Sequence, residues 1–321
     1  MTILVPKSER YQGCLLGLAV GDALGTTLEF RAPGSFEPIR DLIGGGPFQL
    51  EAGQWTDDTS MALCLAESLL HCRMFHPLDQ IQRYVRWYRE GYMSSNGTCF
   101  DIGNTVRAAL ERFEQTLEPF SGSIKRMAAG NGALMRLAPV PMYFAEHPGE
   151  AIYRSGDSSL TTHGNVLSVD ACRYYGGLIV GALQGKEKNE LLSDHFSPIE
   201  GYWEQRTLVP EIEQVAAGSY KTKQPPDIKG TGYVVDSLEA ALWAFYHSTS
   251  FEEGCLMAVN LGDDADTTGA IYGQLAGAYY GVNRIPSHWL SKLTMKSYIE
   301  QMASGLMQAS EELGSSRGNV S

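Results

Sequence analysis

The chain has 321 residues and a formal net charge of −12, from 25 Lys and Arg against 37 Asp and Glu. No basic run offsets that acidity, which excludes general nucleic-acid binding, because displacing phosphate counterions requires a basic surface. Hydrophobic residues at 43% and charged residues at 19% describe a globular chain rather than a disordered one.

Residues 1–10 lack a basic stretch followed by an apolar one, and the apolar run 15–20 is cut short by Asp22. Neither an export signal nor membrane insertion is therefore expected. The first element carries glycine at every fourth position, Gly13, Gly17, Gly21 and Gly25. The same period returns at Gly177, Gly181 and Gly185, and again at Gly269, Gly273, Gly277 and Gly281. Residues four apart share one helix face, so each ladder predicts a helix with a bare ridge for close packing against a second backbone. Each such glycine costs about 0.8–1.0 kcal/mol relative to alanine, so these helices must be buried to form.

After Trp55, Met61, Cys64, Leu65, Ser68, Leu69 and Cys72 recur at three- and four-residue spacing, which predicts an amphipathic helix. Helical periodicity returns over 78–90, 105–114, 169–183, 235–246 and 267–280. Alternation of apolar and polar residues is nearly absent, so the fold class expected is all-α, with Gly- and Pro-bearing loops at 44–47 and 224–227. No linker divides the chain; a single domain over 1–321 is expected, with a core at about 8–309 and a flexible tail at 310–321. Cys14, Cys64, Cys72, Cys99, Cys172 and Cys255 form no CxxC pair or cluster. Reduced thiols and a cytoplasmic location fit that spacing better than a zinc site or a disulfide scaffold.

Two acidic clusters each open a helix: Thr56-Asp57-Asp58-Thr59 and Asp263-Asp264-Ala265-Asp266-Thr267-Thr268. One Asp or Thr at such a position is an ordinary N-cap. Three carboxylates within four residues exceed that need. Like charges about 4 Å apart cost roughly 4 kcal/mol per pair at an effective dielectric of 20, so a cation is expected among them. An oxygen-only donor set suits Mg²⁺ or Mn²⁺ rather than Zn²⁺. Adjacent Asp57 and Asp58 diverge, while Asp264 and Asp266 point together if their backbone is extended; that pattern suits two ions about 3.5–4 Å apart. Gly130-Asn131-Gly132, ahead of residues 133–137, offers backbone N–H groups to a diphosphate at a helix start, unless it is an ordinary turn.

Several motifs then occur in a fixed order. Gly21-Asp22-Ala23-Leu24-Gly25 with Glu29 is followed by Trp55-Thr56-Asp57-Asp58 and Phe100-Asp101-Ile102-Gly103-Asn104-Thr105. Gly130-Asn131-Gly132 through Met135-Arg136, Thr162-His163-Gly164, Gly232-Tyr233-Val234 and Gly262-Asp263-Asp264-Ala265-Asp266-Thr267 complete the series. Over residues 11–286 the chain resembles the ADP-ribosylglycohydrolase family, and is similar to its dinitrogenase reductase-activating members. Some relatives carry an acid a few positions before the Gly-Asn-Gly loop, where this chain has Arg126.

The resemblance implies a compact, single-domain, multi-helix fold with a central dinuclear metal cleft that holds ADP-ribose. It implies two Mg²⁺ or Mn²⁺ on Thr56, Asp57, Asp58, Asp264, Asp266 and Thr267, with Asp263 an extra acid. Glu29, Asp57, Asp58 and Asp101 become the catalytic acids, left unranked. Asn104, Gly130, Asn131, Gly132, Met135, His163 and Tyr233 become contacts to the ligand. The implied reaction is hydrolysis at the ribosyl C1″ of an ADP-ribose conjugate, foremost removal of mono-ADP-ribose from arginine of a modified protein. Alternatives are another acceptor (serine, a nucleic-acid end, O-acetyl-ADP-ribose, or a toxin's victim in an immunity role) and a non-catalytic member that binds ADP-ribose or serves structurally.

Overall fold

The computed structural model describes residues 5–318. Its helices are α1 (Lys7–Gly25), α2 (Asp57–Cys72), α3 (Pro77–Glu90), α4 (Asn104–Thr116), α5 (Pro139–Tyr143), α6 (Pro148–Leu160), α7 (Val166–Leu183) and α8 (Lys188–Leu191). There follow α9 (Tyr202–Gln205), α10 (Pro210–Ala216), α11 (Val234–His247), α12 (Phe251–Val259), α13 (Ala265–Tyr280), α14 (Ser287–Lys292) and α15 (Lys296–Gly318). Extended pairing among the described residues is limited to isolated bridges, such as Gly130 with Tyr233. The fold is all-α, as the periodicity predicts.

Two of the three glycine ladders interlock. α1 and α13 run antiparallel, with Gly13 against Gly277, Gly17 against Gly273, Gly21 against Gly269 and Gly25 against Ala265. A Cβ added at Gly13, Gly17 or Gly21 would run into the facing backbone carbonyl, so the seam admits no side chain. The helix propensity lost at these glycines is offset by contact between two backbones at the centre of the molecule. α2, α7, α11, α12 and α15 pack around this pair and share one hydrophobic core.

The third ladder differs from expectation. Gly181 of α7 faces the Phe196 ring and Leu191, not a second backbone, and Gly185 lies beyond the helix end at φ +83°. There the small residues make room for side chains. α7 is the one helix among the described residues long and apolar enough to cross a membrane, and 83% of it is buried inside the protein. The tail expected to fray from 310 is instead helical as far as Gly318. Ser310 is fully buried, and His147 Nε2 lies 3.2 Å from the Leu313 carbonyl. The rest of that expectation, 319–321, lies outside the described residues.

Candidate active site

The glycine seam sets the register of the site. It places Asp22, in the last turns of α1, beside the first turn of α13, and α2 begins against the same point. Thr56 holds the N-cap position of α2 but its hydroxyl caps nothing. The cap comes from α1 instead. Asp22 Oδ1 accepts from Thr56 N at 2.8 Å and Thr56 Oγ1 at 2.9 Å, and Oδ2 accepts from Thr59 N at 3.0 Å and Thr59 Oγ1 at 2.6 Å. Asp22 is fully buried, and both its oxygens are taken up by these donors. In the sequence Asp22 breaks an apolar run and belongs to the Gly21–Gly25 motif without an assigned role; an acid inside an otherwise buried glycine ladder is the signal that marks it.

Thr56 Oγ1 also lies 3.1 Å from Asp58 Oδ2 and 3.1 Å from Asp266 Oδ2. A hydroxyl has one hydrogen, so it cannot serve three carboxylate oxygens at once. With that hydrogen on Asp22, the other two contacts are oxygen against oxygen and need a cation or a proton between them. The far oxygens, Asp58 Oδ1 and Asp266 Oδ1, are buried with no hydrogen-bond partner, and so is Glu29 Oε2. Burial and the neighbouring acids push Asp57, Asp58 and Asp266 well above the usual carboxylate range. Carboxylate oxygens of Asp22, Asp58 and Asp266 come within 4.8 Å of one another, as do those of Glu29, Asp101 and Asp266. Because the Asp22 oxygens are already engaged by Thr56 and Thr59, the free donors of the first group are Asp58 and Asp266. These residues can hold a metal ion, and oxygen donors alone favour a hard one.

Above this cluster opens a cleft of about 650 Å³, lined by Glu29, Asp57, Asp101, Asn104, Asp264 and Thr267 among others. Thr56, Asp58 and Asp266 lie beneath its floor. Backbone bonds tie the Glu29 segment to the second cluster: Phe30 N donates to the Asp263 carbonyl at 2.7 Å and Asp263 N to the Arg31 carbonyl at 2.8 Å. Phe30, Asp101 and Asp263 all stand at left-handed φ, +60°, +58° and +54°, conformations that side chains adopt at a cost. Burial and then the charge of Asp101 push Glu29 up to about 11, so Glu29 carries a proton toward Asp101. Asp264 N-caps α13 at φ −94°, ψ 64°, so the extended backbone expected to make Asp264 and Asp266 point together is absent. Asp264 and Asp266 interact all the same, and Asn131 Nδ2 donates to Asp264 Oδ2 at 2.7 Å.

The opposite wall departs from expectation in two respects. Residues 130–138 form turns and no helix, so no helix start faces the cleft there. Gly130, Asn131 and Gly132 do line the cleft, and the glycines also leave room for a side chain: a Cβ on Gly130 would sit 3.2 Å from His163 Nε2, and one on Gly132 would sit 2.9 Å from His163 Cε1. The imidazole fills the space that side chains would need. Gly132 and Ala133 N–H groups meet no acceptor among the described residues, so two backbone donors stand unused in this turn. Tyr233 pairs across the bridge with Gly130 but lines a neighbouring hollow of about 520 Å³ with Arg126 and Met127, not the main cleft. Met135, His163 and Gly132 line the cleft itself.

An acid-lined cleft beside a buried carboxylate cluster is thus carried on an all-helical scaffold. A model of the family described as ADP-ribosylglycohydrolase matches residues 5–316. The chain is 41% identical over 312 residues to the ADP-ribosylarginine hydrolase Tri1 of Serratia proteamaculans, covering 96% of this chain and 82% of that protein. It is 33% identical to the ADP-ribosyl-[dinitrogen reductase] glycohydrolase of Rhodospirillum rubrum, covering 90% and 91%. A solved chain described as an ADP-ribosylglycohydrolase-related protein complex superimposes with a TM-score of 0.84 at 43% identity, over 95% of this chain and 99% of that one. The chain belongs to the ADP-ribosylglycohydrolase family, a family of hydrolase enzymes.

Proposed function

We propose that this protein removes mono-ADP-ribose from arginine side chains by hydrolysis at the ribosyl C1″, with two divalent cations, Mg²⁺ or Mn²⁺, held by Thr56, Asp57, Asp58, Asp264, Asp266 and Thr267. The observation that carries the reading is the single Thr56 hydrogen among three carboxylate oxygens, above two orphaned ones. Bound cations supply charge neutralisation and a more acidic water at neutral pH. The choice of arginine rests on the relatives named for that linkage.

Bond breaking at C1″ passes through an oxocarbenium-like state, in which positive charge grows on the sugar ring. Asp57 and Asp101 line the cleft and stabilise that charge through space. Asp58 is fully buried and does not line the cleft, which favours Glu29, Asp57 and Asp101 over it among the candidate bases. Glu29 and Asp101 handle the proton between them. In the metal-free site burial and the Asp101 charge favour a proton on Glu29, and Asp101, at the cleft surface, is the proposed acceptor of one from the attacking water. On the opposite wall the free N–H groups of Gly132 and Ala133 take the diphosphate, while Asn131 keeps Asp264 turned toward Asp266.

The test offers purified ADP-ribosyl-arginine and ADP-ribosyl-serine conjugates with Mg²⁺ or Mn²⁺. Release of ADP-ribose from arginine, abolished in Asp264→Asn with Asp266→Asn, supports the reading; release from serine and none from arginine overturns the acceptor. Tight ADP-ribose binding with release from no conjugate overturns catalysis.

A further inference from the structure

Behind the loop wall of the cleft runs a chain of three buried polar side chains. Arg136 is wholly buried and meets no carboxylate among the described residues. Its Nη1 donates to the Gly132 carbonyl at 2.8 Å, its Nη2 to Thr162 Oγ1 at 2.7 Å, and its guanidinium lies 4.5 Å from the centre of the Tyr84 ring. Thr162, equally buried, brings the same Oγ1 within 2.9 Å of His163 Nδ1.

Counting hydrogens decides the direction of the chain. Arginine only donates, so Thr162 Oγ1 accepts from Arg136 and its own hydrogen remains to be placed. Given to His163 Nδ1, that hydrogen satisfies both groups. The reverse assignment, with Nδ1–H donating, leaves the buried Thr162 hydrogen without an acceptor among the described residues. A doubly protonated ring is disfavoured as well, since burial and then the Arg136 charge hold His163 down at about 3. The ring is therefore neutral with its hydrogen on Nε2. That nitrogen has no partner among the described residues, belongs to a side chain only 2% exposed, and lies against Gly130 at the edge of the cleft.

We infer that Arg136 and Thr162 are positioning residues that lock His163 as an Nε2–H donor aimed at an anionic acceptor, a phosphate oxygen of the ligand. Naming that acceptor the diphosphate of ADP-ribose rests on the function proposed above. The Arg136 charge behind the loop, in contact with no carboxylate among the described residues, points to the same ligand class, because it favours an anion at this wall of the cleft.

Long-range ¹H–¹⁵N correlation spectra of the full chain without ligand read the tautomer directly. The wild-type spectrum is expected to show His163 with hydrogen on Nε2 and a bare Nδ1. Thr162→Val removes the donor and should mix the tautomers, and Thr162→Ser should restore the wild-type pattern. In calorimetry with ADP-ribose, the valine variant is expected to bind about tenfold more weakly and the serine variant within about twofold of wild type. Mn²⁺ binding, counted by electron paramagnetic resonance, should be the same in all three. A wild-type ring with hydrogen on Nδ1, or a folded valine variant with unchanged ADP-ribose affinity, overturns the inference. If the valine variant does not fold, the wild-type spectrum still decides. Should wild-type protein bind no ADP-ribose, the functional reading falls while the tautomer is still determined.

Discussion

The two walls of the cleft are built by opposite means and carry opposite imbalances of charge. One is set by long helices locked in register: α1, α2 and α13 bring Asp22, Asp58 and Asp266 together at the end of a glycine seam, with acids in excess. The other is set by turns and an isolated bridge, where the Gly130–Gly132 loop wraps around His163 and hides an arginine without an acid. Neither wall balances its own charge. A ligand that brings a cation to one and an anion to the other completes both, which is the pairing the proposed function calls for.

The comparison breaks most completely at the seam. Gly21→Ala puts a methyl group into the Gly269 carbonyl with rigid backbone on both sides, so overpacking is expected to cost about 3 kcal/mol or more. Chemical denaturation should show that loss, and metal affinity should fall with it because Asp22, which holds Thr56 and the start of α2, shifts away from Asp266 on α13. Gly181→Ala in α7 meets the Phe196 ring, which can turn, and should cost less. Equal losses at the two sites would remove the distinction between a backbone seam and a side-chain pocket.

This contrast also explains how much of the molecule is readable from its sequence. Fixed four-residue spacing shows the ladders, and crowded carboxylates after Trp55 and around Asp264 show the acid wall, because helix geometry turns spacing directly into position. Which ladders face each other is not encoded in their period, and the third faces Phe196. The loop wall is least legible. Gly-Asn-Gly reads as backbone room for a ligand, but that a histidine 31 to 33 positions away packs against both glycines is a relation that local spacing cannot express. Arg136 is visible as part of a motif, but its burial without an acid is a tertiary fact.

The charge excess of the acid wall should also make stability depend on pH. Burial raises Asp22 to about 6 and, with neighbouring acids, Asp101 to about 7, while the same groups in the unfolded chain titrate at about 4. Between those values the folded state binds more protons than the unfolded one. Stability of the metal-free protein therefore rises as pH falls from 8 toward 5, by about 2–4 kcal/mol, and is lost again as these acids ionise. Divalent cations held beside these acids favour their ionised forms, so with Mg²⁺ present the trend should flatten or reverse. Urea melts at several pH values, with chelator and with Mg²⁺, measure both; a metal-free protein that weakens between pH 8 and 6 would contradict the excess.

The smallest expected effect lies on the loop wall. Tyr233 is 39% exposed and sits over the hollow beside the cleft, joined to it through Gly130 and Gly232. A ring in that position can stack on a flat group extending from the diphosphate but touches no reacting atom. Tyr233→Ala should therefore weaken ADP-ribose binding by no more than about tenfold, close to 1.4 kcal/mol, with kcat unchanged. Steady-state kinetics on the arginine conjugate separate the two terms. A rise in KM alone keeps the walls distinct, one for chemistry and one for holding. A fall in kcat would mean that the bridge between Tyr233 and Gly130 transmits position to the acids, through Asn131 and its bond to Asp264, and that the two walls act as one.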